Sequence, residues 1–121
     1  MTEALFFDTY AFFRILDKSS DYNKYTNIDI VTTKLNLFEL YNNLLKYFDE
    51  KTASNILNKY WPFIVDFDKE IIKEAAKFKR AFGRGVSMTD CVGYVIAKKI
   101  GIKFLTGDKQ FEFLPDVEFV K

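Results

Sequence analysis

The segment SMTDCVGYVIAKKIGIKFLTGD, residues 87–108, combines a helix signal, a strand signal and two aspartates. Ser87 is a favourable helix N-cap, Asp90 follows it in the first turn, and Gly101 is a typical C-terminal stop. The apolar run IKFLT then has the length of a buried strand. Asp108 comes directly after this strand region, so the segment places a lone carboxylate where a buried strand reaches the surface.

The rest of the chain repeats this alternation of strands and helices. The run ALFF is a strand candidate that ends at Asp8, and Thr9 begins a helix with apolar residues at helical spacing. Three more strands are predicted in IDIVTT, in WPFIVDFD with Pro62 at its beginning, and in VEFV. Further helices are predicted over residues 34–49, 51–60 and 69–82. This order predicts a three-layer α/β/α sandwich with a central, mostly parallel sheet of about five strands.

Length and composition indicate one packed domain spanning residues 1–121. Hydrophobic residues make up 49% of the chain, with fourteen Phe and seven Tyr, which is the composition of a globule with an extensive core. The single cysteine, Cys91, excludes an intramolecular disulfide framework and a multi-cysteine zinc site. Without a secretory signal pattern or an apolar run of about eighteen residues, we expect a cytoplasmic protein with no membrane span.

The chain contains no histidine, and this limits the chemistry that it can perform. Serine and cysteine nucleophiles activated by histidine are excluded, as are histidine acid-base catalysis and every metal site that uses an imidazole ligand. If the protein is an enzyme, we therefore expect carboxylates to carry the reaction.

Three aspartates are expected at one edge of the sheet. The crevice of an open parallel sheet lies at the carboxyl ends of its strands, where Asp8 and Asp108 meet if their strands are neighbours. Asp90 lies in the first turn of a helix that begins on the same side. The alternative is that Asp8 and Asp108 are ordinary helix caps and that Ser87 and Asp90 form a capping box. Several anions at one edge repel each other unless a cation neutralises them, which favours a functional cluster.

The helical periodicity alone gives weaker support for Glu39 as a site residue. The apolar positions of its helix are taken to be Leu37, Phe38, Tyr41, Leu44, Leu45 and Phe48. Glu39 lies nearly opposite the centre of that face, on the side shared with Asn43 and Lys46. The periodicity therefore predicts a solvent-exposed glutamate.

Basic residues are concentrated in one part of the chain. Residues 69–109 contain ten Lys or Arg and four acidic residues, a balance of +6, whereas the remaining residues have a balance of −5. Such a segment could attract phosphates, or its lysines could simply be the solvated faces of amphipathic helices. Composition alone leaves both interpretations open.

Four segments resemble, in order and at fitting separations, the signature regions of PIN-domain nucleases: FFDTYAF, LNLFELYNNL, SMTDCVGYVIAKKIGIKFLTGD and KQFEFL. The match covers nearly the whole chain. Its most specific part is an aspartate on a small-residue helix, then a strand, T-x-D, and a phenylalanine three residues later. The resemblance implies a metal-dependent ribonuclease, in which Thr9 and Thr106 support the site carboxylates. The catalytic and metal-binding residues that it implies are Asp8, Glu39, Asp90 and Asp108.

The implied site needs a divalent cation and a basic surface for RNA. Oxygen ligands suit Mg²⁺ or Mn²⁺, which can activate water and stabilise charge on the attacked phosphate. Because a carboxylate cluster alone repels RNA, a positive rim is expected. The candidates for contacts with RNA phosphates are Arg80, Arg84 and Lys109. Tyr10 and Phe111 are candidates for stacking on unpaired bases.

Small single-domain PIN proteins resemble the toxins of VapBC-type toxin–antitoxin pairs, which implies an inhibitory antitoxin and a homodimer. A haloacid-dehalogenase-like phosphatase would resemble D-x-D, but Tyr10 occupies the second acidic position. A receiver-like phospho-acceptor would need an acidic pair that the chain does not supply before its candidate aspartate. The main alternative is a PIN-like binding module without efficient catalysis, although all four acidic positions are occupied.

Overall fold

The computed structural model describes residues 3–18, 20–82 and 85–121, which form a parallel sheet with helices on both faces. The strands are β1 (Ala4–Phe7), β2 (Asp29–Val31), β3 (Lys103–Thr106) and β4 (Val117–Phe119). Within the described residues they form one four-stranded sheet in the order β2-β1-β3-β4, and every neighbouring pair is parallel. The α/β class predicted from the sequence is confirmed.

The helices follow the predicted order, with one clear difference in length. They are α1 (Thr9–Leu16), α2 (Lys34–Leu44), α3 (Glu50–Tyr60), α4 (Lys69–Phe82) and α5 (Met88–Ile100). Helix α2 ends at Leu44, five residues before the end predicted at residue 49. Leu45 and Phe48 are exposed, so a further turn would not be stabilised by packing against the core. None of the described helices is long and apolar enough to cross a bilayer.

Two hydrophobic cores lie on opposite faces of the sheet. Successive side chains of a strand point to opposite faces, so Leu5 and Phe7 of β1 enter one core and Phe6 enters the other. Helices α1, α2 and α3 cover the first core, whereas α4 and α5 cover the second. This arrangement is the predicted three-layer sandwich.

The predicted strand in WPFIVDFD is wrong. Residues Trp61–Phe63 form a 3₁₀ turn, and only a single parallel bridge joins Ile64 to Thr32, beyond the end of β2. The bridge consists of two backbone hydrogen bonds, of 3.1 and 2.9 Å. Pro62 has no N–H to contribute to a ladder and suits the start of a helical turn, so the chain turns before a strand can form. The sheet therefore has four strands among the described residues, where about five were predicted.

Helix α5 packs very close to the sheet at Gly93. A Cβ at this position would lie 2.6 Å from Cε1 of Phe6 and 3.0 Å from Cε1 of Phe104. Only glycine permits this separation, since real Cβ atoms do not approach other atoms so closely. Asp90 is three residues earlier on the same helix, so the contact at Gly93 also sets how near Asp90 lies to the ends of β1 and β3.

Candidate active site

Asp8 lies directly after β1 and immediately before α1, with a side chain that is 2% exposed. Its Oδ1 accepts a hydrogen bond from the Ala11 backbone N–H at 2.8 Å, and its Oδ2 accepts one from the Thr106 hydroxyl at 2.5 Å. Asp8 is therefore the N-cap of α1 and also a buried carboxylate whose two oxygens are held in place.

Thr106 links Asp108 to Asp8. Thr106 is fully buried at the end of β3, and its hydroxyl oxygen accepts a hydrogen bond from the Asp108 backbone N–H at 3.1 Å while it donates to Asp8. The Asp108 carboxylate accepts a hydrogen bond from the Gln110 N–H at 3.0 Å and caps the 3₁₀ turn Lys109–Phe111. One hydroxyl group thus fixes two of the predicted site residues relative to each other.

Asp90 lies in the first turn of α5, as the sequence predicted. Its backbone N–H donates to the Ser87 hydroxyl oxygen at 3.1 Å, which makes Ser87 the N-cap of the helix. Helix capping and clustering were alternative interpretations of the aspartates. The structure shows capping and clustering together. The carboxylates of Asp8 and Asp108 cap their own turns, and they also lie within electrostatic range of Asp90.

These carboxyl groups are poorly solvated and repel one another. Burial raises the pKa of Asp8 from 3.8 to about 8, and the hydrogen bond from Thr106 offsets only part of this effect. The charges of Asp90 and Asp108 raise the pKa of Asp8 further. Burial, together with the charges of Glu39 and Asp108, raises the pKa of Asp90 to about 6. The structure therefore brings the four predicted acidic residues into one electrostatic cluster.

The predicted exposure of Glu39 is wrong. Glu39 is partly buried, and its Oε1 accepts a hydrogen bond from the Thr9 hydroxyl at 2.8 Å. The error arose from the apolar face assigned to α2, since Phe38 is 72% exposed and the core is filled instead by Leu37, Leu40 and Leu44. The buried face of α2 is rotated from the predicted one, which moves Glu39 from the far side of the helix to the border of the site.

Two buried polar residues beside Glu39 were missed by the sequence reasoning. Thr33 is the N-cap of α2, and its hydroxyl donates to Asn36 Oδ1 at 2.7 Å. Asn36 Nδ2 in turn donates to the Thr9 hydroxyl oxygen at 3.4 Å. Both Thr33 and Asn36 are fully buried. Neither residue had a clear signal in the sequence, because a polar residue next to leucines is ordinary on an amphipathic helix.

Two of the three predicted phosphate-binding residues, Arg80 and Lys109, are exposed in the described part of the chain. Arg80 is exposed on α4, where it lines a cleft of about 520 Å³ between α4 and α5. Cys91 also lines this cleft and is the residue after Asp90, although none of the four acidic residues lines it. Lys109 is exposed and adjacent to Asp108, and Arg84 lies outside the described residues. The RNA contacts assigned to these residues remain predictions.

The two aromatic residues suggested for base stacking have different surroundings. Phe111 is fully buried and packs against Phe78, Tyr94 and Phe104, so the suggestion that it stacks on bases is wrong. Its apolar ring completes the core under α4 and α5. Tyr10 is 37% exposed at the start of α1 and remains accessible to a ligand.

The side chains of the cluster have the chemistry of a site for Mg²⁺ or Mn²⁺. All candidate donors are carboxylate oxygens, and within the described residues none of the four groups forms an ion pair with lysine or arginine. In the same part of the chain, no three aspartate, glutamate or cysteine side chains converge closely enough to hold a metal ion alone. A Mg²⁺ ion at this edge of the sheet would therefore contact one or two carboxylates directly and keep several waters, as Mg²⁺ usually does in proteins.

Comparisons with known proteins give consistent matches. The family model described as PIN domain matches residues 5–116. Ribonuclease VapC3 of Pyrobaculum aerophilum is 34% identical over 91 residues, which covers 68% of this chain and 68% of that protein. A toxin–antitoxin complex from Klebsiella pneumoniae has a TM-score of 0.76 at 14% identity, over 94% of this chain and 95% of the other. VapBC2 from Rickettsia felis, solved with a DNA fragment from its promoter, has a TM-score of 0.71 at 14% identity over 97% of both chains.

Proposed function

Because the chain belongs to the PIN domain family, we propose that it is a divalent-metal-dependent endoribonuclease that hydrolyses RNA phosphodiester bonds. The observation that carries this proposal is the cluster of Asp8, Glu39, Asp90 and Asp108 at the carboxyl edge of the parallel sheet. The related Pyrobaculum aerophilum protein is named a ribonuclease, and its sequence identity to this chain supports the same class of reaction.

The four acidic residues hold the catalytic metal and orient the attacking water. Burial and neighbouring negative charges raise the pKa values of Asp8 and Asp90, so a bound cation would offset the repulsion within the cluster. Asp108 and Glu39, whose charges act on Asp90, would bind the ion directly or through water. When bound, Mg²⁺ or Mn²⁺ lowers the pKa of a water ligand and stabilises the negative charge that develops on the phosphate.

Exposed positive side chains hold the RNA backbone. Arg80 on α4 and Lys109 beside Asp108 are both exposed, so each can reach a phosphate without losing an internal role in the fold. They offset the repulsion between RNA and the carboxylates. Tyr10, which is partly exposed at the start of α1, provides an aromatic face for an unpaired base.

The nuclease acts as the toxin of a toxin–antitoxin pair. Two proteins with the same fold were solved as toxin–antitoxin assemblies, and this supports an antitoxin partner for the present chain. Phe38, Tyr47 and Phe48 are large apolar side chains that are exposed on or just after α2, as expected for a chain that contacts a protein partner or a second copy. Co-expression with the product of the neighbouring gene tests this assignment, since a cognate antitoxin co-purifies with the nuclease and inhibits cleavage.

The decisive experiment compares RNA cleavage by the wild type and by Asp90→Asn, with Mn²⁺ or Mg²⁺ and with EDTA. The matched control is Asp66→Asn, since Asp66 is highly exposed and its only ion pair in the described residues, with Lys34, is 4.0 Å long. Cleavage that requires metal, persists in the control and disappears in Asp90→Asn supports the proposal. If the wild type neither cleaves RNA nor binds either ion, the protein is a PIN-like binding module instead.

A further inference from the structure

Asn36 is a buried polar residue of α2. It lies in the first turn, between Leu35 and Leu37, and is fully buried. Burial of an amide is unfavourable unless its hydrogen bonds are satisfied, so the partners of its side chain explain why an amide is held here. Asn36 is also not needed to cap the helix, because the Thr33 hydroxyl already accepts a hydrogen bond from the Asn36 backbone N–H at 3.3 Å.

The hydrogen bonds of Asn36 form a chain that leads to Glu39. Thr33 Oγ1 donates to Asn36 Oδ1 at 2.7 Å, and Asn36 Nδ2 donates to Thr9 Oγ1 at 3.4 Å. Thr9 Oγ1 then donates to Glu39 Oε1 at 2.8 Å. This series of hydrogen bonds starts at Thr33, the fully buried N-cap, and ends at Glu39, a partly buried acidic residue of the candidate active site.

Each group in this series of hydrogen bonds determines which atom donates in the next one. The Thr33 oxygen already accepts a backbone N–H, so its single proton is used toward the carbonyl oxygen of Asn36. This orients the amide nitrogen toward Thr9, and an amide nitrogen can only donate. The Thr9 oxygen therefore accepts, and its own proton points to the Glu39 carboxylate.

We propose that Asn36 is a positioning residue for Glu39, which acts through Thr9 and does not itself contact metal or substrate. This inference rests on the proposed nuclease function. By fixing the Thr9 proton, Asn36 holds Glu39 Oε1 in one place, and within the described residues Oε2 has no hydrogen-bond donor and stays available for the ion or its water. Groups that orient the ligands of a metal in this way change its affinity strongly when they are removed.

The first test measures Mn²⁺ affinity by titration calorimetry, with Asn36→Leu as the main variant. We expect an affinity loss of about 10-fold, with the melting temperature in EDTA close to that of the wild type. Asn43→Ala is the matched control, because Asn43 lies on the same helix and its Nδ2 donates to the Glu39 backbone carbonyl and not to its carboxylate. This control should bind Mn²⁺ as the wild type does. If Asn36→Leu does not fold, Asn36→Ala removes the amide without adding volume.

A second test asks whether Asn36 acts through Thr9. Thr9→Val removes the hydroxyl at nearly constant volume and should lose as much Mn²⁺ affinity as Asn36→Leu, whereas Thr9→Ser should retain it. Both substitutions interrupt the same series of hydrogen bonds. The double variant Asn36→Leu/Thr9→Val should therefore lose no more Mn²⁺ affinity than either single variant. Losses that multiply, or wild-type affinity in Asn36→Leu, overturn the inference. A wild-type protein that neither binds Mn²⁺ nor cleaves RNA overturns the proposed function instead.

Discussion

The Thr106 hydroxyl donates a 2.5 Å hydrogen bond to the Asp8 carboxylate, joining two neighbouring strands at residues that are 98 positions apart in the sequence. Asp8 is almost completely buried, and this hydrogen bond is the strongest influence that lowers its pKa against the opposing effect of burial. Thr106 therefore decides how readily Asp8 becomes the anion that a metal ion requires.

Thr106→Val should weaken metal binding. The substitution keeps the shape of the side chain but removes the donor, so the pKa of Asp8 rises further and Mn²⁺ affinity at neutral pH falls about 10-fold. Thr106→Ser retains the hydroxyl and serves as the control. Titration calorimetry at several pH values measures the effect, and the pH midpoint of binding should move upward in the valine variant alone. Equal affinities of the two variants would contradict this role for Thr106.

The stability of the metal-free protein should fall as pH rises from about 4 to about 8. The pKa of Asp8 is raised from 3.8 to about 8 in the folded state, so the folded state binds a proton that the unfolded state has released across this interval. Asp90, with a pKa of about 6, adds to the decrease over the lower part of the same range. Melting temperatures in EDTA, recorded against pH, measure this slope.

Asp8→Asn isolates the contribution of Asp8 to that slope. Asparagine can still cap α1, and it cannot ionise, so the variant should show a smaller decrease with pH and melt above the wild type at pH 8 in EDTA. Added Mn²⁺ should raise the melting temperature of the wild type more than that of the variant, because ligand binding stabilises only the protein that binds it. A variant with the wild-type slope would show that Asp8 is already ionised across this range.

Gly93→Ala should destabilise the protein and weaken its metal site. Alanine favours a helix by about 1 kcal/mol over glycine, but its Cβ would lie 2.6 Å from Phe6 and force α5 away from the sheet. Such overpacking typically costs about 1–3 kcal/mol, so after the helix gain is subtracted the free energy of unfolding should fall by up to about 2 kcal/mol. Urea unfolding measures the stability, and Mn²⁺ titration reports the displacement of Asp90.

Gly101→Ala is a suitable control for this prediction. Gly101 has a φ of 79° and no neighbouring atom within 4 Å of the added Cβ, so alanine there strains the backbone without moving α5 at Asp90. Both variants should lose stability, but only Gly93→Ala should lose Mn²⁺ affinity. A parallel loss of affinity in Gly101→Ala would mean that reduced stability alone weakens the site.

The sequence predicted the positions of the aspartates better than that of Glu39. Asp8 and Asp108 follow apolar runs, and adjacent parallel strands carry such residues to one edge. Helix α2 gave no comparable signal, because its buried face contains Asn36, whereas Phe38 and Phe48 are exposed. An apolar pattern cannot separate residues that face the core from apolar residues at the surface.

The strand predicted in WPFIVDFD failed for a different reason. Its apolar and β-branched residues fit a strand, and Ile64 does form one bridge with Thr32. Strand formation also depends on the length of the partner, and β2 ends at Val31, so only this single bridge extends the pairing. Local sequence could not predict how far β2 extends, since that depends on pairing with β1.

Arg80→Ala should weaken RNA binding and reduce its dependence on salt. If Arg80 contacts a phosphate, the slope of log affinity against log salt for single-stranded RNA should become shallower by about 0.7, the value for one released counterion. Lys51→Ala is the matched control, because Lys51 is also exposed but lies on α3, which covers the opposite face of the sheet from α4. Both changes are made in an Asp90→Asn background to keep the RNA intact. Equal salt slopes in the two variants would remove Arg80 from the RNA-binding surface.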